Sequence, residues 1–170
     1  MLSQHQIDNQ LKYEQFKREI AAESPVPCDI KVGDFVTFTN EFGIFFRKPK
    51  QVIGFSDECY LPERFIYTES DAYWFPKKVE QLHKVEKTST GGLLVREATP
   101  QSLYQFENEL IDDLNWKRLV RDNKLHCVWC NDFTMEVVTY CEGDIIWTSA
   151  LNQEMYESEL LRILSFFSAH

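Results

Sequence analysis

Between Lys31 and Val85 the chain runs as short apolar segments of period two, each closed by turn residues, and no other stretch restricts the fold so tightly. Val32-Gly33-Asp34-Phe35-Val36-Thr37-Phe38-Thr39 stands at its head: Val32, Val36 and Phe38 alternate with outward positions, and Gly33-Asp34 supplies an early turn. Asn40-Glu41-Phe42-Gly43 is a second turn, and Ile44-Phe45-Phe46 follows it. Arg47-Lys48-Pro49-Lys50 predicts a charged loop. In the next strand, Gln51 to Phe55, Gly54 marks a sharp bend or the close approach of a neighbour. Ser56 to Pro62 reads as a longer loop. Arg64–Tyr67 and Ala72–Phe75 flank Thr68–Asp71 as a hairpin with a four-residue turn. Pro76 to Leu82 then predicts a proline-led single helical turn, and His83–Lys87 a last short strand.

Five short strands with a one-turn 3₁₀ insertion before the last resemble the SH3-like barrel in its KOW and chromatin-reader variants. The resemblance spans residues 30–87 and rests on strand order and the Val79-Glu80-Gln81-Leu82 turn. It implies a small five-stranded β-barrel. It assigns no activity, because such barrels serve many roles.

The flanking segments read differently. Ser3 to Ala22 has helix composition, with Ser3 and Gln6 at capping-box spacing. Tyr13, Phe16 and Ile20 cluster on one side of that helix, and Ile7 and Leu11 lie nearly opposite. Three readings fit: a helix held between two surfaces, a first half that contacts another chain, or Ile7 and Leu11 simply exposed. The second makes self-association through Ile7 and Leu11 an expectation. Ser24-Pro25-Val26-Pro27 ends the helix. Further on, Thr88 to Gly92 reads as a boundary and Leu93–Val95 as a short strand. Thr99-Pro100 opens a helix with Leu103, Phe106, Leu110, Ile111 and Leu114 on one arc, ending near Trp116 to Val120. Strands follow at Leu125–Cys130, Met135–Cys141 and Ile145–Ser149, with Glu142-Gly143-Asp144 as a hairpin turn. A closing helix over Asn152–Phe167 carries Tyr156, Leu160, Ile163, Leu164 and Phe167 on one face. The expected class is α+β: an N-terminal helix and Pro linker (1–27), an SH3-like barrel (28–88), and an acidic α-β-β-β-α domain with an antiparallel sheet (91–170).

Composition narrows function more than fold. No apolar run approaches the ~18 residues that cross a bilayer, and the N-terminus lacks the layout of a signal peptide, so no membrane partner is expected. Five scattered cysteines, an odd number, predict reduced thiols in a cytoplasmic protein. The net charge of −9 is uneven: residues 1–90 carry 12 Lys/Arg and 14 Asp/Glu, residues 91–170 carry 6 and 13. The acidic half argues against general nucleic-acid binding there and suits a basic partner.

His126-Cys127-Val128-Trp129-Cys130 is the one pattern a motif scan catches. Structural, zinc-binding and redox roles are open to the two cysteines, and the structural one is favoured. Residues three apart on a continuous strand face opposite ways, and no second ligand pair exists. No Ser or Cys carries a nucleophile signature and no Gly-rich phosphate loop is present, so neither enzyme activity nor a cofactor is expected. Glu107 falls inside the apolar arc of its helix, where burial demands a partner such as Arg96, Arg118 or Arg121. Two surface groups remain. The acidic one, Glu107, Glu109, Asp112 and Asp113 with Glu154, Glu157, Glu159 and Asp122, makes an adaptor or inhibitor that engages a basic protein surface the first expectation. The basic-aromatic one, Arg47, Lys48, Lys50, Lys77 and Lys78 among Phe45, Phe46, Tyr73, Trp74 and Phe75, makes nucleic-acid binding the second.

Overall fold

The computed structural model describes residues 3–60, 63–70, 75–96, 100–123, 126–141, 144–149 and 151–169. Asp71 of the predicted hairpin turn, residues 72–74 of the strand predicted after it, the Thr99 cap and the Glu142-Gly143 turn lie outside them, as do the side chains of Cys59, Leu103, Asp122 and His126. The chain is mixed α+β, with three helices and two antiparallel sheets, and it divides into two compact units, Met1–Val85 and Glu86–His170. None of the described helices is long and apolar enough to cross a membrane.

The first unit opens with α1 (Gln4–Glu19), capped as the sequence predicts: Ser3 Oγ accepts from the Gln6 amide at 3.3 Å, and Gln6 Oε1 accepts from the Ser3 amide at 2.8 Å. The helix stops before Ala22 because Ala21 pairs with Phe55, through bonds of 2.8 and 2.9 Å in opposite directions. Its second half packs on the unit. Phe16 stands edge-on to Tyr67 at 4.7 Å, and Tyr13 Oη accepts from the Ser70 amide at 3.2 Å. A Cβ on Gly54 would stand 2.6 Å from Ile20 Cδ1, so the close approach foreseen there is real.

Strands β1 (Phe35–Thr39), β2 (Phe45–Tyr60), β3 (Arg64–Thr68) and β4 (Leu82–Lys84) form an antiparallel sheet in the order β3-β2-β1-β4. A 3₁₀ turn at Val79–Gln81 precedes β4, as expected. Two predicted loops are strand instead. Arg47–Lys50 and Ser56–Tyr60 both lie within the 16 residues of β2, because Lys50 pairs with Val36, Gln51 with Phe35 and Tyr60 with Arg64. Pro49 is tolerated where the pairing of β1 with β2 slips between Val36 and Phe38, so its missing N–H interrupts no ladder bond there. Beyond β3, Lys77 bridges Ile66. No closed barrel forms among the described residues, so the barrel itself is not established by this sheet. Ile30, Val36, Val52, Phe55, Phe65 and Ile66 make the buried core, each such side chain stabilising by about 1.5–3 kcal/mol on full burial.

The second unit is richer in strand than the sequence suggests. Its elements are β5 (Glu86–Lys87), β6 (Leu93–Val95), α2 (Pro100–Asp112), β7 (Trp116–Asn123), β8 (His126–Asn131), β9 (Glu136–Cys141), β10 (Asp144–Thr148) and α3 (Gln153–Ser168). They build a six-stranded sheet in the order β5-β6-β10-β9-β8-β7, where the sequence predicts three strands between the helices and a short one at Leu93–Val95, which is β6. Thr88–Gly92 is the turn of the β5–β6 hairpin, with Gly91 at φ +86°. The predicted run of α2 to Trp116–Val120 is corrected. Asp113 Oδ1 accepts from the Asn115 amide at 3.0 Å and its side-chain amide at 2.9 Å, a local competitor to helix. The chain then turns into β7, where Lys117 pairs with Cys130. The apolar arc is correspondingly narrower: Phe106 and Leu110 are buried, while Ile111 and Leu114 are 56% and 98% exposed.

Directly opposed residues share a face of a sheet, which sorts this unit into layers. Trp129, Val138 and Trp147 align on one face, and Phe106 of α2 meets Trp147 edge-on at 5.8 Å. Val128, Cys130 and Val137 lie on the other, packed with Tyr156 and Ile163 of α3. Topology explains the placement of α2. It joins β6 to β7, which stand on opposite sides of β10, β9 and β8, and so it crosses the sheet.

Candidate functional site

The register of β1 on β2 sets Phe38 opposite Phe46 and Val36 opposite Lys50. Alternation then carries Phe46, Lys48 and Lys50 to one side of β2. All three line a pocket of about 180 Å³ at one end of the first unit's core, floored by Val36, Phe38 and Leu82 and completed by Thr68, Phe75 and Lys77. Phe38 and Phe46 are near-parallel, 21° apart with centroids at 5.5 Å, and Phe46 keeps 49% of its surface open. Lys77, buried as a whole residue, donates from Nζ to Thr68 Oγ1 at 3.2 Å and sits 5.0 Å over the Phe38 ring.

Thus the structure gathers Lys48, Lys50, Lys77, Phe46 and Phe75 from the predicted basic-aromatic group, and leaves Arg47, Lys78 and Phe45 out. Arg47 is buried, with its guanidinium 5.5 Å over Phe45. Phe45 in turn meets His83 edge-on, and His83 shares a 2.8 Å hydrogen bond with Thr39. Lys78 caps the 3₁₀ turn, its amide donating to Gln81 Oε1 at 3.1 Å, and pairs with Glu80 at 3.4 Å. Tyr73 and Trp74 lie outside the described residues. Sequence reasoning missed Phe38, Thr68, Val36 and Leu82 as parts of the site. For Phe38 the signal existed, since it shares the period of Val36.

Among the described residues, the pocket lining contains no carboxylate, imidazole or thiol. It presents ammonium groups beside apolar walls, where a facing anion is attracted more strongly than in open water, and an aromatic face to one side. That combination is chemically complementary to a negative group joined to a flat apolar body.

No family model, curated protein or solved structure matches this chain.

The acidic residues are placed apart. Glu107 turns inward, accepting from Trp129 Nε1 at 3.4 Å and pairing with Arg121 at 3.6 Å, one of the three arginines foreseen for it. Glu109, Asp112 and Asp113 are exposed on or just beyond α2, and Glu154 and Glu157 on α3, the helix on the other face of the sheet. Glu159 is held by two bonds from Arg162, at 2.7 and 2.8 Å. Of the self-association pair, Ile7 is 39% and Leu11 65% exposed, on the half of α1 that makes none of the contacts above.

Cys127 and Cys130 sit on a continuous strand facing opposite ways, both buried. Burial, aided by the Glu107 carboxylate, pushes the Cys127 thiol up to about 11, and burial raises Cys130 as well. Neither favours the thiolate that redox or metal chemistry uses. Among the described residues no three His, Cys, Asp or Glu side chains group as metal ligands do. Two further polar clusters escaped the sequence reading. Glu136, buried, accepts from Trp147 Nε1 at 3.0 Å and Thr134 Oγ1 at 2.7 Å. Tyr156 Oη donates to Asp132 at 2.7 Å, and Lys117 bonds the same carboxylate. Lys117 foremost, then Tyr156, hold the Asp132 carboxyl below its ordinary range.

Proposed function

We propose that this chain is a non-enzymatic binding protein, that its first unit is an SH3-like barrel, and that nucleic acid is held at the lysine-rimmed pocket. The barrel reading draws on the β3-β2-β1-β4 order, the 3₁₀ turn before β4 and the Lys77 bridge beyond β3, together the chain order of a five-segment meander. The observation that carries the function is the convergence of Lys48, Lys50 and Lys77 with Phe46 and Phe75 on one apolar concavity. Ammonium groups neutralise phosphates and aromatic rings stack on bases. The net charge of −9 opposes unspecific attachment to polyanions, so binding has to come from this local arrangement. Buried free thiols at Cys127 and Cys130 suit a reducing, cytosolic setting.

A protein partner engaged through an acidic face has weaker support. Glu107 is turned into the core, and α2 and α3 carry the remaining charges on opposite faces of one sheet.

A salt series on the full chain with a single-stranded oligonucleotide tests the proposal. Phosphate contacts at the two accessible lysines, Lys48 and Lys50, give a slope of about −1.4 in log K against log salt. The Lys48→Gln/Lys50→Gln variant is expected to weaken binding and flatten the slope to near zero. Absence of binding to single strands and duplex alike at low salt would sink the proposal.

A further inference from the structure

Resting on that nucleic-acid reading, we infer that the pocket takes one unpaired base of a single strand, with the adjoining phosphates on Lys48 and Lys50. Size is the first reason. About 180 Å³ is below the roughly 300–1,000 Å³ of ordinary small-molecule sites, and suits one ring system better than a whole nucleotide. The second reason is the character of the walls. Phe46 is braced from behind by Phe38, ring on ring, while 49% of it stays open, so a flat apolar surface is presented without a rotamer having to be fixed on binding. Third, Lys48 and Lys50 are two residues apart on β2, which sets their stems about 6.6 Å apart along the strand, a separation that one extended nucleotide bridges. Duplex bases hide both ring faces in the stack and offer only their edges, so a pocket that works through a ring face selects unpaired strands.

The test uses the full-length chain and fluorescence anisotropy with four probes: a short single strand in ribose and deoxyribose forms, the same backbone with abasic sites, the matching duplex, and a poly-glutamate peptide as competitor. The base-bearing strand, in either sugar, is expected to bind about ten-fold or more tightly than the abasic strand, and the duplex and the peptide no better than the abasic strand. Phe46→Leu, which keeps apolar volume and removes the ring, is expected to bring the strand down to the abasic level while leaving the salt slope unchanged. Circular dichroism checks its fold, and Phe75→Leu serves as the second variant. Equal binding of base-bearing and abasic strands, or full competition by the peptide, overturns the base pocket and leaves charge-driven binding standing. Failure of every nucleic acid to bind overturns the function itself.

Discussion

Gly54 decides how α1 sits on the first sheet. A Cβ there would meet Ile20 Cδ1 at 2.6 Å and the Ala21 carbonyl oxygen at 3.0 Å. The isoleucine can rotate away, but the carbonyl is committed to the Phe55 amide at 2.9 Å. Gly54→Ala is therefore expected to cost about 1–3 kcal/mol, read as a lower urea midpoint at constant slope. An unchanged midpoint would contradict the packing described. Glu107 makes a second case. Glu107→Ala strands the Trp129 N–H in the interior and is expected to cost about 1–3 kcal/mol, whereas Glu107→Gln keeps an acceptor and costs less. Equal losses in thermal melts of the two variants would show that the hydrogen bond to Trp129 is immaterial. The anomaly of Glu107 was legible, because helical spacing places it inside an apolar arc. Its indole partner was not, since Trp129 stands on another element, 22 residues away. Glu136 and Trp147 escaped for the same reason.

At the scale of elements, the Asp34–Lys84 pair ties the head of β1 to β4 at 2.9 Å. Burial alone raises the Asp34 carboxyl, but the bonds from Lys84 and the Lys31 amide outweigh it, and the net shift is downward from 3.8. Lys84 moves upward from 10.5, chiefly through its bond to Asp34. A depressed carboxylate stabilises above its unfolded value, and that stability is lost as pH falls through the folded value. The raised ammonium stabilises below its unfolded value and loses this as pH rises through the folded one. The pair is thus intact between about pH 5 and pH 10. Asp34→Asn is expected to lower the neutral-pH urea midpoint and to shrink the loss of stability between about pH 5 and pH 3, the two chains converging in stronger acid. Parallel curves for the two chains across that range would count against the linkage. Elements are legible where a cap or an apolar period marks them, as the Ser3–Gln6 spacing does for α1 and the one apolar face does for α3. They failed where local chemistry hides pairing: the charges and Pro49 inside β2 read as loop, and the apolar residues of β7 read as more helix. Neighbouring strands decide such segments, and their identity lies far along the chain.

For the whole molecule, a charge of −9 sits beside a pocket rimmed by lysines. The sequence showed those lysines and aromatics as a group, but with the wrong geometry. It placed Lys48 and Lys50 in a loop, and it included Arg47 and Lys78, whose side chains meet Phe45 and Glu80. The pocket exists because the register pairs Phe38 with Phe46, and a register is written across two strands rather than in either alone. The acidic ranking suffered the same loss, since helical charge can be read from sequence while the face of a sheet that a helix covers cannot. The most direct test is amide chemical-shift mapping of the full chain during titration with a single-stranded oligonucleotide. Shifts are expected to be confined to Val36–Phe38, Phe46–Lys50, Thr68 and Phe75–Leu82, with α2 and α3 silent. Shifts centred on Glu109–Asp113 or Glu154–Glu159, or none at all, would contradict binding at the pocket.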